Sequence, residues 1–418
     1  MQPKVNDIEL PEIKQFTDIE LPNGMTMHLL SGGTQPVVKI DIYTLAGTTS
    51  AAKPCVAKTT AELLQEGTLN LSAKQFAEQI DFLGAYLSAS ASTNYAHISV
   101  LCLAKHLAQI ADLVSDMLTK PLFGQDEFDI YIDRASQEFK INEQKTSYLA
   151  RRELLSMLFA EGCRYGRIAH LDDWKKLTLS DVRDFYNKQY TPQGSHIFIS
   201  GLPSQTDIDT ITAAFGQRWA PKPTVFEHIE PIANHKTERR HVAHSNAQQA
   251  SLAMGLITIK PSDPDFYCLS ILTTLLGGYF GSRLMSNLRE DKGLTYGIGA
   301  NLQSNEKYSR LGIYSDLKPD SVDFAINEIF AEIKRLQTEP VGPDELNTLT
   351  SYVKGEIIRS LDNTITTANT LSQLMLCGFA HNYNEQLFDT CNTITPDEIM
   401  RLANKYLACD KFNIVTCF

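Results

Sequence analysis

Two halves of this sequence show the same order of patterns, with a proline-containing stretch between them. Residues 84–129 first alternate small, polar and apolar residues, and then place apolar residues three and four apart; residues 296–347 do the same. Period-two alternation is typical of strands, and the wider spacing is typical of an amphipathic helix. Each half therefore predicts two strands followed by a helix, and a repeat of this length restricts the fold to two related domains.

Further period-two segments open and close each half. They cover residues 37–46 and 195–201 in the first half, and 250–260 and 411–418 in the second. Antiparallel hairpins with helices collected between them predict an α+β fold. We therefore expect two duplicated α/β-sandwich domains, each with a mostly antiparallel sheet and helices on one face.

Residues 220–238 mark the boundary between these domains. The stretch contains three prolines and has no regular apolar spacing, which is typical of a semi-extended linker. The sequence thus predicts an N-terminal domain at 1–219, a linker at 220–238 and a C-terminal domain at 239–418.

Composition limits the classes of partner. The net charge of −11 disfavours nucleic-acid backbones and favours basic or neutral ligands. The eight cysteines form no C-x-x-C pair, which favours reduced thiols. The chain has no apolar run long enough to cross a membrane, and residues 1–16 lack the pattern of a secretory signal, so we expect a cytoplasmic protein.

Two segments and their order along the chain resemble those of a known family. The first is residues 55–68, "CVAKTTAELLQEGT", in the first of the duplicated halves, and the second is the Gly-rich segment 275–298 in the other half. The chain is similar to the pitrilysin/insulinase superfamily of inverted-zincin metallopeptidases, and more narrowly to its short members that work as two-chain assemblies, such as mitochondrial processing peptidase. In that family the first helix carries H-x-x-E-H, followed four residues later by Gly-Thr. The two histidines lie on one helical face and bind zinc, and the glutamate acts as general base.

The resemblance places unsuitable residues at all three positions of this motif. With Gly67-Thr68 fixing the register, Lys58 and Glu62 occupy the histidine positions and Ala61 occupies the glutamate position. A lysine cation cannot replace a neutral imidazole ligand, and an alanine cannot accept a proton. The family's third ligand is a later glutamate, for which Glu138 is the nearest candidate. Two carboxylates beside a lysine predict an ion pair and not a zinc site, so we expect no metal in this chain and no catalytic residue acting alone.

The second stretch implies a role in substrate binding. In the superfamily, the C-terminal half presents an Arg and a Tyr seven residues apart, and Arg289 and Tyr296 have this spacing. An arginine can bind a peptide carbonyl or carboxylate, and a tyrosine hydroxyl can donate a hydrogen bond to an oxyanion. The competing Arg283 is expected to contact an acidic neighbour. Three glycines would allow close approach of a peptide backbone: Gly277, Gly278 and Gly281.

Three functions are compatible with these residues. The resemblance implies a non-catalytic subunit that pairs with a homologous, zinc-bearing peptidase subunit and helps it bind peptides. An alternative is an inactive scaffold or a peptide-binding homodimer of the same family. A third hypothesis, an autonomous zinc peptidase, requires ligands that the motif does not show.

Overall fold

A computed structural model of the chain describes residues 8–223, 226–227, 229–245 and 247–418. Residues 1–7 lie outside the described residues. They belong to the segment 1–16 on which the expected cytoplasmic location partly rests. Residues 224, 225 and 228 of the predicted linker also lie outside the described residues.

The first half contains a six-stranded sheet in the order β1-β2-β6-β3-β5-β4. Strands β2 and β6 are parallel, and all other neighbours are antiparallel. The strands are β1 (Thr17–Glu20), β2 (Thr26–Ser31), β3 (Val37–Thr44), β4 (Tyr86–Ala91), β5 (Ala96–Leu103) and β6 (His196–Gly201).

The second half repeats this topology in a five-stranded sheet ordered β7-β11-β8-β10-β9. Its β7 and β11 are parallel, and the other pairs are antiparallel, so the five strands correspond in order and direction to β2, β6, β3, β5 and β4. The predicted duplication and fold class are confirmed. The strands are β7 (Arg239–Val242), β8 (Ala250–Thr258), β9 (Ile298–Asn305), β10 (Tyr308–Leu317) and β11 (Asn413–Cys417).

The α-helices also divide between the halves. Those of the first half are α1 (Val56–Leu63), α2 (Ala73–Phe82), α3 (Leu107–Thr119), α4 (Gln125–Asn142), α5 (Thr146–Leu158), α6 (Leu171–Lys176), α7 (Leu179–Gln189) and α8 (Gln205–Ile211). Those of the second half are α9 (Phe266–Thr273), α10 (Val322–Thr338), α11 (Pro343–Ser360), α12 (Thr364–Leu376), α13 (Tyr383–Thr393) and α14 (Pro396–Tyr406).

Local chemistry fixes several helix starts. Ser72 accepts a hydrogen bond from the backbone N–H of Gln75 at the start of α2, and the Gln75 side chain accepts one in return from the Ser72 N–H. Thr178 and Asp181 make the same reciprocal pair at the start of α7. Each pair satisfies two backbone N–H groups that would otherwise lack partners at a helix N-terminus.

A separate hydrophobic core lies between each sheet and its own helices. In the first half, Ile40 and Ile42 of β3 face residues such as Val114 of α3. In the second half, Leu252 and Met254 of β8 lie in a core with Ile329 of α10. The helices predicted for one face of each sheet are therefore present, as the alternating strand patterns indicated.

The opposite face of each sheet is covered by a helix from the other half. Helix α5 packs on β8 and β11, and its Leu154 shares a cluster with Ala253 and Val415. Helix α12 packs on β2 and β6, and its Leu376 contacts a cluster that includes Phe198. The halves thus exchange one helix each. The domain boundaries at residues 219 and 239 stay a prediction. Helix α5 precedes them but packs on the second sheet, and helix α12 follows them but packs on the first sheet.

Gly255 shapes the surface on which α5 packs. Gly255 of β8 and Gly312 of β10 are direct neighbours across the sheet. A Cβ at Gly255 would lie 2.9 Å from the Leu311 carbonyl oxygen and 3.2 Å from a Leu154 methyl group. The missing side chain therefore gives Leu154 the space to approach the sheet.

The contact of α12 with the first sheet is made by larger and more polar side chains. The Gln373 amide donates a hydrogen bond of 2.9 Å to the Tyr43 hydroxyl, and the Lys39 ammonium donates one of 2.7 Å to the Asn369 side chain. The two exchanged helices therefore use different chemistry to cover equivalent sheets.

No helix in the described ranges is both long and apolar enough to span a lipid bilayer.

We expect Leu154→Ala to destabilise the whole chain, because Leu154 is only 1% exposed and joins the two halves. Truncating such a leucine lowers the free energy of unfolding by about 2–5 kcal/mol. Urea denaturation followed by circular dichroism measures the change. Leu202→Ala, at a 39% exposed position, is the control, and an equal loss of stability in both variants would contradict the importance of the exchanged helix.

Candidate functional site

Helix α1 is positioned by its apolar face. Val56, Ala57, Leu63 and Leu64 are buried in the first core, as expected from their helical spacing. After the helix, Gly67 has a φ of +98°, a conformation that strongly favours glycine. The Thr68 hydroxyl then accepts backbone hydrogen bonds from the next turn, so the Gly-Thr pair has a structural role at this end.

The structure brings three of the predicted motif residues to one cavity. Lys58 and Glu62 of α1 and Glu138 of α4 line a space of about 530 Å³. Ala61 is 0% exposed and lies in the interior. The register of Glu138, which the sequence left open, thus places this side chain opposite the degenerate motif.

The ion pair at this site differs from the predicted one. Glu62 pairs with Arg134 of α4 at 3.9 Å, whereas the prediction assigned the pairing to Lys58. Arg134 lies four residues before Glu138, so both project from one face of α4. This spacing is the signal in the sequence that could have identified Arg134.

The electrostatics of the cavity oppose two ionised carboxylates at close range. Burial raises the pKa of Glu62 above its ordinary value, the Arg134 guanidinium opposes this shift, and Glu138 adds to it. The Arg134 guanidinium therefore favours the charged form of the Glu62 carboxyl, against the effects of burial and of Glu138.

The residues present do not fit a catalytic zinc ion. A zinc peptidase site needs neutral imidazoles and an ionised carboxylate around an open position, and here the available groups are two carboxylates, a lysine and an arginine. Within the described residues, no three His, Cys, Asp or Glu side chains are grouped to hold a metal.

A second cavity of about 510 Å³ adjoins the first and also involves the second half of the chain. The two cavities share Lys58, Phe139, Tyr148 and Trp174, among others. Cys55 lines the second cavity, but burial, followed by the nearby Asp173, raises its pKa to about 12. The thiol therefore stays protonated near neutral pH and is a poor nucleophile.

Arg289 and Tyr296, in the C-terminal half, are not among the residues that line these two cavities. The Arg289 guanidinium is 4.6 Å from the centre of the Phe280 ring, a cation–π contact, and makes no ion pair with any described residue. Phe280 is 61% exposed and Tyr296 is 91% exposed. The structure thus presents a cation and a phenol at the surface.

The competing arginine has a structural role. Arg283 forms two hydrogen bonds to the carboxylate of Glu345, at 2.8 and 2.9 Å. The predicted contact with an acidic neighbour is therefore present, and Arg289 is the arginine left without a carboxylate.

The three glycines of this region differ in their surroundings. Gly277 is buried, and a Cβ there would lie 2.5 Å from the Ala300 backbone nitrogen in β9. Packing against β9 therefore explains this residue. Gly278 and Gly281 are exposed, and a Cβ at either would meet the side chain of Thr274 or Tyr279 at 3.0–3.1 Å.

The duplicated fold and the altered zinc-motif helix define a class of metallopeptidase-like proteins. The family model described as "Insulinase (Peptidase family M16)" matches residues 36–167, and that of the "Peptidase M16 inactive domain" matches residues 176–351. Both models describe parts of one family and together cover most of the sequence. The chain belongs to peptidase family M16.

Similar proteins include both bacterial and mitochondrial members. The chain is 23% identical over 352 residues to an uncharacterized zinc protease of Streptomyces coelicolor, covering 82% of this chain and 76% of that protein. It is 20% identical over 414 residues to the mitochondrial-processing peptidase subunit beta of Saccharomyces cerevisiae, covering 92% and 87%.

Solved structures show the same fold. The peptidase M16 inactive domain from Pseudomonas fluorescens superposes with a TM-score of 0.87 at 23% identity, covering 96% of this chain and 98% of that one. A protease from Helicobacter pylori gives 0.88 at 18% identity, covering 97% and 100%.

We expect restoration of the motif to create a zinc site. The triple variant Lys58→His, Ala61→Glu, Glu62→His places both histidines opposite Glu138, whereas the unaltered chain should contain negligible zinc. Metal analysis of the purified proteins measures this difference. Adding Glu138→Ala to the triple variant should remove the gained zinc. Stoichiometric zinc in the unaltered chain, or none in the folded triple variant, would contradict the assignment of these positions.

Gly277→Ala should destabilise the protein while Gly278→Ala has little effect. The new methyl group at residue 277 would collide with β9, and overpacking of this kind costs about 1–3 kcal/mol. Thermal unfolding of the two variants measures the difference. Equal stability would show that Gly277 is not constrained by packing.

Proposed function

We propose that this chain is the non-catalytic subunit of a two-chain zinc metallopeptidase that acts on peptides. A homologous partner holds the zinc, and this chain contributes Arg289 and Tyr296, with Gly278 and Gly281, to substrate binding. The cytoplasmic location expected from the sequence is part of this proposal.

The observation that carries the proposal is a contrast between two motifs: the zinc-binding motif of α1 is altered, whereas the Arg289/Tyr296 motif has both of its side chains present. The α1 motif has a lysine, a buried alanine and an arginine-paired glutamate in place of a zinc site. By contrast, the second motif has an arginine without an ion pair among the described residues and a tyrosine that is almost fully exposed. Side chains of this kind are available to a ligand held by another chain.

The relatives support an assembly of subunits. The yeast relative is named as a subunit of mitochondrial-processing peptidase, and a chain of Complex III2 from Candida albicans superposes with a TM-score of 0.76 at 15% identity, covering 96% of this chain and 95% of that one. Both names describe multi-subunit assemblies, which is the organisation we propose here.

A peptide ligand agrees with the position of β4. This strand is at the edge of the first sheet, and Ser90 and Ala91 at its end line the α1 cavity. An edge strand has free backbone N–H and C=O groups, which can pair with an extended peptide.

We expect the isolated chain to cleave no peptide and to become part of an active enzyme on mixing with a homologous chain that carries H-x-x-E-H. Cleavage of a quenched fluorescent peptide library measures activity, and size-exclusion chromatography measures assembly. Chelator-sensitive cleavage by the isolated chain would contradict the proposal.

Tyr296→Phe should lower kcat of the assembled enzyme by about 10²-fold if the hydroxyl stabilises an oxyanion. Tyr267→Phe is the matched control, because Tyr267 packs against Tyr383 at 5.3 Å in the second half. Unchanged turnover in the Tyr296 variant, with normal assembly, would favour the scaffold function instead.

A further inference from the structure

The cavity between α1 and the second half has a concentrated positive charge. Five cations line it, and no aspartate or glutamate is among its lining residues. The cations are Lys58, Arg151, Arg152, Arg167 and Arg310. This is opposite to the net charge of −11 of the whole chain.

Most of these charges have no carboxylate partner. Arg152 pairs with Glu143 at 3.1 Å. For Lys58, Arg151, Arg167 and Arg310, the described part of the chain provides no ion pair. A group of unpaired cations in a concave, partly buried site attracts anions more strongly than the same charges on an open surface.

Neutral contacts hold three of the guanidinium groups in the wall. Arg167 donates hydrogen bonds to the carbonyl oxygens of Ala52 and Thr48, at 3.0 and 2.6 Å. Arg151 stacks 4.1 Å from the centre of the Tyr314 ring, and Arg310 donates a bond of 2.7 Å to the Gln303 side chain. These contacts orient the cations without forming an ion pair, and Asp173 is close enough to Arg167 to raise its pKa against the effect of burial.

A further donor lies in the wall of the same cavity. Trp174 is 8% exposed, and its indole N–H has no hydrogen-bond partner. A buried N–H group without an acceptor is costly, and this nitrogen is enclosed by the protein, with less than 1 Å² of its own surface accessible. Burial and then the nearby Arg164 lower the pKa of Arg167, so a bound anion would relieve the cost of this charge.

We propose that this cavity binds acidic peptides through their side-chain or C-terminal carboxylates, with Arg167, Arg310 and Lys58 as the main contacts. This inference rests on the proposed function, because the choice of a peptide as the ligand comes from it. It names the substrate class of the two-chain enzyme as acidic, whereas the whole-chain charge favours basic or neutral ligands.

A peptide fits the site better than a small free anion. The cavity of about 510 Å³ continues into the α1 cavity of about 530 Å³ through shared residues. Aromatic side chains, Phe139 and Tyr148, line both, and these suit the apolar parts of a chain. The end of edge strand β4 lies beside them, where a peptide backbone can pair.

The test uses the full chain and three fluorescent peptides of one sequence that carry Glu, Gln or Lys at the same positions. Fluorescence anisotropy should show the Glu peptide binding most tightly and the Lys peptide most weakly. Arg310→Gln should weaken binding of the Glu peptide about tenfold, as expected for loss of a charge-assisted contact. Added salt should weaken it further.

Matched variants separate the cavity from general charge effects. Arg167→Gln should weaken binding of the Glu peptide as Arg310→Gln does. Arg167→Gln also removes two hydrogen bonds to backbone carbonyls. If the Arg167 variant is unstable for that reason, the Arg310 variant alone still tests the inference. Arg359→Gln, at a 76% exposed side chain paired with Glu356, should change nothing. Equal binding of the three peptides, or no effect of Arg310→Gln, would overturn the inference. Competition by free glutamate or inorganic phosphate as strong as by the Glu peptide would overturn the peptide as occupant.

Failure of the acidic-peptide inference can be distinguished from failure of the proposed two-chain enzyme. If the mixed subunits cleave peptides but prefer basic or neutral ones, the acidic specificity is wrong and the two-chain enzyme stands. If the chain binds the Glu peptide in the cavity but no partner makes it active, the binding site stands and the enzyme assignment fails.

Discussion

The exchange of helices between the halves is the contact on which the rest of the structure depends. Each sheet has one face buried by its own helices, and the other face is covered by a helix that the chain supplies from the opposite half. Without α5, apolar residues of β8 and β11 would face water; without α12, the same would hold for the first sheet. The cavity lined by α1 and β10 exists because this exchange holds the two halves face to face.

Much of the fold follows from local patterns. Alternating residues identified strands such as β3 and β8, and helical spacing identified α1 and α10, because these periods report which side of an element is buried. The exchange of α5 and α12 could not be predicted in the same way. An apolar helix face shows that a partner is needed, but it does not show which sheet provides it. Gly255, an isolated glycine inside a strand pattern, is a local sign of a close approach.

The residues of the α1 cavity, like the elements of the fold, could be predicted only in part from the sequence. The register of Lys58 and Glu62 could be fixed from Gly67, whereas the position of Glu138 depends on how α4 packs against α1, which no spacing specifies. Arg310 and Arg167 lie far apart in sequence and meet only because the halves close on each other. Net charge is a sum over the whole surface, so it conceals a local group of cations within an acidic chain.

The helix exchange also changes the meaning of the connecting segment at residues 220–238. A polypeptide cut in this segment would give one fragment that carries α5 and lacks α12, and another that carries α12 and lacks α5. Each fragment would hold the piece that completes the other, so the two would associate as complementary partners. The covalent connection sets the local concentration of the halves, and the packed helices provide their cohesion.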